Sequence, residues 1–264
     1  MIVTYTNLGA NGEFGNQLFQ IAATYSYGLD NNREPVFPKW YCRVSGNHYS
    51  HCFDKKINET FNEVVDVEHT EPTFYYTQIP KFTEKCISLK GYFQTEKYFD
   101  NNSSEVKKLF VPSIEIKEKI KNIDYNNTVG VQLRFYDRGT IDPAQFYYSS
   151  DDKEIIQYLI TAINYFGKNK TYVVTTNNYS KAKAMFSKYD NFIFLSDCNL
   201  NSIEEFFAFS RCENNIITNS SFGWWGAYLN DNINKVICAP KKWFKVENEW
   251  FNTKDLYLKE WKII

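Results

Sequence analysis

The second half of this chain alternates short apolar runs with amphipathic helical stretches, and this regularity limits what it can fold into more than any other feature. The pattern predicts strands over 128–133, 171–175, 191–195, 215–218 and 235–239. Helices over 153–166, 181–189, 202–211 and 224–229 fit between most of them. Strands joined by helices of this length need right-handed crossovers, which make the strands parallel and cover the sheet on both faces. The second half is therefore expected to form a doubly wound, nucleotide-sized α/β unit. In such sheets ligands bind beyond the carboxyl ends of the strands, so the loops leaving those ends carry the first candidates for a site.

The first half is less regular. A short apolar run over 1–7 is followed by Gly9, Gly12 and Gly15, then by a helical pattern through Leu18, Phe19, Ala22, Ala23, Tyr25 and Tyr27. This reads as strand, glycine loop, helix. The stretch 35–76 is irregular, punctuated by Pro38, Gly46 and Pro72, with two short segments at 57–61 and 63–67. A strand over 86–90 ends at Gly91, a helix start at Ser103 leads toward Pro112, and a polar segment covers 117–127. With 264 residues, one large domain and two modest lobes are both open.

Charge and composition exclude several classes. The chain has 30 Lys+Arg against 31 Asp+Glu, so it lacks the summed positive field that nucleic-acid or anionic-lipid binding needs; no window approaches eighteen uncharged apolar residues, so any membrane association is expected to be peripheral at most. An anionic ligand must then be held by local groups. Aromatic residues make up 18% of the chain; they suit sugar stacking as well as an ordinary core. The start has neither a basic leader nor a long apolar region, which gives the expectation of a cytoplasmic protein. Six scattered cysteines with no C-x-x-C pair predict reduced thiols. Cys42, His48, His51 and Cys52 lie close in sequence but match no standard zinc spacing, and no metal is predicted.

Three segments are candidates for chemistry. In Gly12-Glu13-Phe14-Gly15-Asn16-Gln17, small residues let backbone N–H groups approach an anion at a helix start, although a tight turn with Asn16 as N-cap fits the same spacing. Val131-Gln132-Leu133-Arg134-Phe135-Tyr136-Asp137 runs out of a strand. There Arg134 can bind a diphosphate bidentately, or Arg134 or Arg138 can pair at the surface with Asp137. In the segment 215–226, a buried-type strand leads through Asn219, Ser220 and Ser221 into Phe222-Gly223-Trp224-Trp225-Gly226. Hydroxyls at a helix start suit phosphate oxygens, while the tryptophans suit the core or a base.

Taken with Gly91-Tyr92-Phe93-Gln94-Thr95-Glu96-Lys97-Tyr98-Phe99, these segments resemble the alpha-1,2-fucosyltransferases, glycosyltransferase family 11, along nearly the whole chain. The family's G-x-G-N-Q-L/M-F-Q matches residues 15–20, its G-Y-F-Q-S-E-K-Y-F matches 91–99, and its N-I-I-A-N-S-T/S-F-S-W-W-G-A-W-L matches 215–229. Its A-P-x-x-W-F stands as Ala239-Pro240-Lys241-Lys242-Trp243-Phe244. The resemblance implies a GT-B-like α/β fold of two Rossmann-like lobes with a donor-binding cleft between them. An amino-terminal, acceptor-side lobe would span 1–125 and a nucleotide-sugar-binding lobe 126–264. It also implies inverting transfer of L-fucose from GDP-L-fucose to a galactoside-type acceptor, such as a glycan or lipid-linked oligosaccharide, with no metal or further cofactor.

By the same resemblance Arg134, Asp137 and Glu13 are the catalytic candidates. Gly15, Asn16, Gln17, Arg134, Asn177, Asn178, Asn219, Ser220, Ser221 and Phe222 are the donor-binding candidates. Two motifs depart from the family. Its H-x-R-R-G-D is Gln132, Leu133, Arg134, Phe135, Tyr136, Asp137 here, and its S-D/N-D is Thr176, Asn177, Asn178. These changes leave two alternatives open: the same fold acting on another nucleotide-linked deoxysugar, or a non-catalytic glycan- or nucleotide-binding homologue.

Overall fold

A computed structural model describes residues 1–136, 146–246 and 248–264. Two compact units make up the chain: Met1–Ile114 with Asn248–Leu258, and Glu115–Glu247 with Lys259–Ile264.

In the first unit β1 (Ile2–Thr4) leads through the glycine loop into α1 (Phe14–Asp30), followed by β2 (Glu34–Pro35). A small antiparallel hairpin, β3 (Tyr41–Cys42) with β4 (Asn47–His48), stands apart from the main sheet. Then come β5 (Val67–Thr70), β6 (Cys86–Lys90) and α2 (Ser103–Leu109). The main sheet is parallel with order β2-β1-β6-β5. The winding direction reverses between β1 and β6, so the loops leaving these two strands flank the switch point.

Helix α1 starts at Phe14 with Glu13 in the N-cap position, so the expected cap at Asn16 is wrong by three residues. Leu18, Phe19, Ile21, Ala22 and Ala23 are all fully buried. It is buried around most of its circumference, and its one charged residue, Asp30, stands exposed at its carboxyl end. The irregular stretch 35–76 holds β5, displaced from the expected segment at 63–67. Its half-buried Val67 and His69 alternate with exposed Glu68 and Thr70, the weak pattern of a short edge strand.

The second unit opens with α3 (Ile114–Ile120), which runs into the 117–127 segment that reads as polar and buries Ile116 and Ile120 on one face at i,i+4 spacing. It continues with β7 (Thr128–Leu133), α4 (Lys153–Phe166), β8 (Thr171–Thr176), α5 (Tyr179–Phe186) and β9 (Phe192–Phe194). After these come α6 (Ser202–Ser210), β10 (Asn214–Ile216), α7 (Ser221–Tyr228), β11 (Ile237–Ala239) and β12 (Lys262–Ile263). The sheet is parallel with order β12-β11-β10-β7-β8-β9, the Rossmann order with β7 as its first strand. All six residues of β7 are buried, as a central strand covered on both faces requires.

Val129, Val131 and Leu133 of β7 pack with Tyr172 and Val174 of β8 and with Ile155, Tyr158, Leu159 and Ala162 of α4. The Tyr158 hydroxyl lies 2.8 and 2.7 Å from the carbonyls of Ile217 and Cys238, fastening α4 under the carboxyl ends of β10 and β11. The switch point falls between β7 and β10. Among the described residues, no helix is long and apolar enough to cross a membrane.

Candidate active site

The recurrent sequence segments leave the strands on either side of the two switch points: 12–17 and 91–99 in the first unit, 134–136 and 217–222 in the second. The positions that open α/β sheets reserve for ligands are thus occupied by those segments.

At the second switch point, both sides of the Arg134 backbone are fixed by one residue. Its N–H donates to Ser150 Oγ at 2.8 Å, and its carbonyl accepts from the Ser150 N–H at 2.8 Å. Arg134 is half-buried, and its guanidinium lies over the Tyr136 ring at 5.2 Å. Tyr136 stacks on Tyr147 with centroids 5.5 Å apart, and Tyr147 leans on Phe244 at 5.2 Å. This row of aromatics connects the exit of β7 to the 239–244 segment. Asp151 and Asp152, just beyond Ser150, pair with Lys181 at 3.0 Å and Lys245 at 2.8 Å. Asp137 lies outside the described residues.

The residues that differ from the family pattern have definite structural work. Gln132 is buried, and its Oε1 accepts from the Thr218 N–H at 3.2 Å and the Thr218 hydroxyl at 3.0 Å, joining β7 to the loop after β10. A Cβ on Gly223 would come within 2.6 Å of that same oxygen, so a glycine is needed for α7 to sit this close. Phe135 is buried, and its peptide group is gripped by Asn177. The Phe135 N–H donates to Asn177 Oδ1 and Asn177 Nδ2 donates to the Phe135 carbonyl, each at 2.8 Å. Only an amide can act on both sides of that pair. Replacing Asn177 with Asp is therefore expected to cost about 1–3 kcal/mol, measured by urea unfolding. Asn178 caps α5 through Oδ1, which accepts from the Lys181 N–H at 3.1 Å.

Asn219 is fully buried and donates to the carbonyls of Lys242 and Trp243 at 2.6 and 2.7 Å, so it pins the loop to the 239–244 segment. Ser220 is the N-cap residue of α7 and makes no side-chain cap bond. Ser220, Ser221 and Phe222 are half-buried, whereas Trp224 and Trp225 are completely buried. The hydroxyls stand at the positive end of a helix whose indoles belong to the core. Behind β8, Glu205 accepts from Thr175 Oγ1 at 2.7 Å and Ser196 Oγ at 2.9 Å; burial raises its carboxyl above the usual range, and these hydroxyls oppose the rise.

At the first switch point the motif amides mostly hold the loop itself. Gln17, fully buried, donates to the Gly12 carbonyl at 2.9 Å and accepts from Trp40 Nε1 at 2.7 Å. Gly15 is buried, Glu13 is exposed, and Asn16 is half-buried with its Oδ1 accepting from Gln94 Nε2 at 2.7 Å. That bond links the glycine loop to the 91–99 segment. Tyr5, at the end of β1, donates to the Gly91 carbonyl at 2.7 Å and accepts from Asn11 Nδ2 at 3.1 Å, and burial raises its phenol to about 12.

Ser149, Ser150 and Tyr147, which stand around Arg134 and Tyr136 at the candidate site, were not singled out from the sequence. The Ser149-Ser150-Asp151-Asp152 run just before a helical pattern was the available signal for the first pair. Among the described residues, no group of three or more His, Cys, Asp or Glu side chains is placed to hold a metal ion. His51 Nε2 and Cys52 Sγ lie 3.6 Å apart.

Two parallel α/β units, with candidate loops at their switch points, and in the second unit an arginine and a helix start following neighbouring strands, give a fold of the GT-B-like class. The chain belongs to glycosyltransferase family 11, whose model matches residues 47–264. It is similar to the O-antigen biosynthesis glycosyltransferase WbnK of Escherichia coli, at 24% identity over 94% of this chain and 98% of that protein. It is also similar to an alpha-1,2-colitosyltransferase of Escherichia coli, at 25% identity over 95% of both chains. The structure of NodZ alpha-1,6-fucosyltransferase, from Bradyrhizobium, soaked with GDP-fucose superposes with a TM-score of 0.57 at 11% identity, covering 86% of this chain and 92% of that one. The protein is a glycosyltransferase.

Proposed function

We propose that this enzyme transfers L-fucose from GDP-L-fucose to a galactoside-type glycan acceptor, free or lipid-linked, in alpha-1,2 linkage and with inversion. The observation that carries this reading is the convergence of Arg134 and the Ser220–Phe222 helix start on the two strands flanking the second switch point. An arginine fork and a helix amino terminus are the groups that neutralise a departing diphosphate. In the transfer, the acceptor hydroxyl oxygen bonds to the anomeric carbon as the bond from that carbon to the diphosphate breaks. The acceptor proton passes to a carboxylate, for which Asp137 and Glu13 are the candidates. The first unit, with Asn16 and Gln94 joined at its own switch point, is assigned to the acceptor side, and the second unit to the donor.

A second reading keeps the chemistry and changes the sugar to another nucleotide-linked deoxysugar of the colitose type. It is favoured by Phe135 and Tyr136, which stand where the family pattern has arginine and glycine, and by the similarity to an alpha-1,2-colitosyltransferase. Thermal-shift titration with GDP, UDP and dTDP separates the nucleotides. GDP at about a hundred times its Kd is expected to stabilise the fold by about 2.7 kcal/mol, with little effect from the other two. Stabilisation by UDP or dTDP and none by GDP would refute both the fucose donor and any other GDP-linked sugar. Nucleotide binding with no turnover on any galactoside would favour the non-catalytic homologue.

A further inference from the structure

The turn that follows β6 is held by a buried carboxyl group. Glu71, only 5% exposed, lies just past the end of β5; its Oε2 accepts from two consecutive backbone N–H groups, Tyr92 at 2.7 Å and Phe93 at 2.9 Å. Its other oxygen, Oε1, is buried and has no hydrogen-bond partner among the described residues. The approach is so close that a Cβ on Gly91 would stand 2.4 Å from the Glu71 Cβ, so only glycine fits there. Two residues on, Phe93 takes a φ of +53°, a backbone state costly for a bulky side chain that persists only where its surroundings impose it. The strained residue is completely buried, while Tyr92 beside it is 39% exposed and Gln94 reaches back to Asn16. The carboxyl therefore holds a strained turn that points an aromatic ring outward and an amide toward the glycine loop.

We propose that Glu71 is the positioning residue of the 91–94 turn, and that its ionisation sets how firmly this turn presents Tyr92 and Gln94 to the sugar acceptor. The acceptor part of this proposal rests on the assignment of the first unit to the acceptor side. The groups facing the carboxyl are the Tyr92 and Phe93 N–H groups, the Tyr98 hydroxyl from the short helix after the turn, and Tyr5 from β1. Glu68 and Lys90, the charged residues of the flanking strands β5 and β6 besides His69, pair with each other at 3.1 Å on the exposed side. Burial raises the Glu71 carboxyl to about 7, against the downward pull of the two N–H groups and the Tyr98 hydroxyl. The sign follows from its being raised: burial penalises the ionised form, so stability is greatest below the ordinary glutamate range and is lost as pH rises through about 7. Hydrogen bonds to the turn run the opposite way, because a carboxylate binds N–H groups more strongly than a neutral acid does.

The test uses the full chain labelled with carbonyl-13C tyrosine and amide-15N phenylalanine, which singles out its three Tyr–Phe steps, at Phe93, Phe99 and Phe166. The Phe93 amide is expected to titrate with a midpoint of about 7, moving downfield with rising pH, and to stop titrating in Glu71→Gln. In parallel, GDP release from GDP-L-fucose with a β-galactoside acceptor is followed across the same pH range. Acceptor kcat/KM is expected to rise with pH in the wild type and to be flat within about twofold in Glu71→Gln. In Glu71→Ala it should fall at least about tenfold while GDP binding stays within about twofold. A Phe93 amide that does not move, or one that still titrates in Glu71→Gln, overturns the proposal, as does wild-type acceptor kinetics in Glu71→Ala. If the wild type releases no GDP at any pH, the donor assignment fails instead, and the Phe93 titration still decides the role of Glu71.

Discussion

Replacing Arg134 with alanine is expected to lower glycosyl transfer by about 100- to 1000-fold while leaving the protein folded. The size of the loss follows from the charge that builds on a diphosphate leaving group, where a preorganised bidentate donor acts far more strongly than it would in bulk water. Folding should survive because the Arg134 backbone is fixed independently of its side chain, through two bonds of 2.8 Å to Ser150. The guanidinium's contact with the Tyr136 ring, at 5.2 Å, is worth about 0.5–1 kcal/mol, so the melting temperature should fall by only about 1–4 °C. Arg134→Lys keeps the charge but loses the planar fork, and an intermediate rate is expected. Transfer rates at saturating donor, with melting curves on the same preparations, check both parts. A variant that melts normally and turns over at the wild-type rate removes Arg134 from the mechanism.

The largest effect on stability is expected at Trp224. Its ring is completely buried against Trp225 at 5.3 Å, Tyr228 at 5.0 Å and Trp261 at 5.4 Å. Truncation to alanine leaves a cavity in a cluster of large rings that cannot collapse into it, at a cost of about 3–5 kcal/mol. For a chain of this size that is a drop of roughly 6–20 °C in melting temperature. Trp224→Phe should recover much of this. Because Trp224 anchors α7, whose first residues carry Ser220 to Phe222, nucleotide binding should weaken in the alanine variant even below its melting point. Calorimetric melting, then GDP titration at low temperature, measures the two consequences separately. An alanine variant melting within about 2 °C of wild type would show that the tryptophan cluster is not what seats the helix.

The strand and helix pattern from 128 to 239 was legible because central parallel strands such as β7 are buried at every position and the helices between them are long enough to show a period. The edge elements were not. β5, β12 and the hairpin at 41–48 each contribute two to four residues, too few for a period to emerge. Helix α3 hid in a lysine- and glutamate-rich stretch because only Ile116 and Ile120 of its seven residues are buried.

The candidate site was legible as a set of motifs but not as a division of labour. Asn16, Gln17, Asn177, Asn178 and Asn219 all read as polar residues in ligand-side loops. Their amides turn out to be engaged with Gln94, Trp40, Phe135, Lys181 and the 242–243 carbonyls. Which acceptor an amide meets depends on how distant loops come together, and spacing along the chain carries no record of that. Ser150, 16 residues beyond Arg134, is the same case in reverse: an ordinary serine in sequence that fixes the arginine in space. Two of the three losses from the family's H-x-R-R-G-D pattern likewise gain a physical meaning. Phe135 turns inward where the pattern has a second arginine, and Tyr136 lays a ring under the arginine that remains.

The most direct test is a crystal structure of the chain with GDP. The donor assignment predicts the diphosphate beyond the carboxyl ends of β7 and β10, within hydrogen-bond distance of the Arg134 guanidinium and of the Ser220–Ser221 helix start. GDP bound elsewhere, with Arg134 still seated on Tyr136 and away from any phosphate, would contradict it.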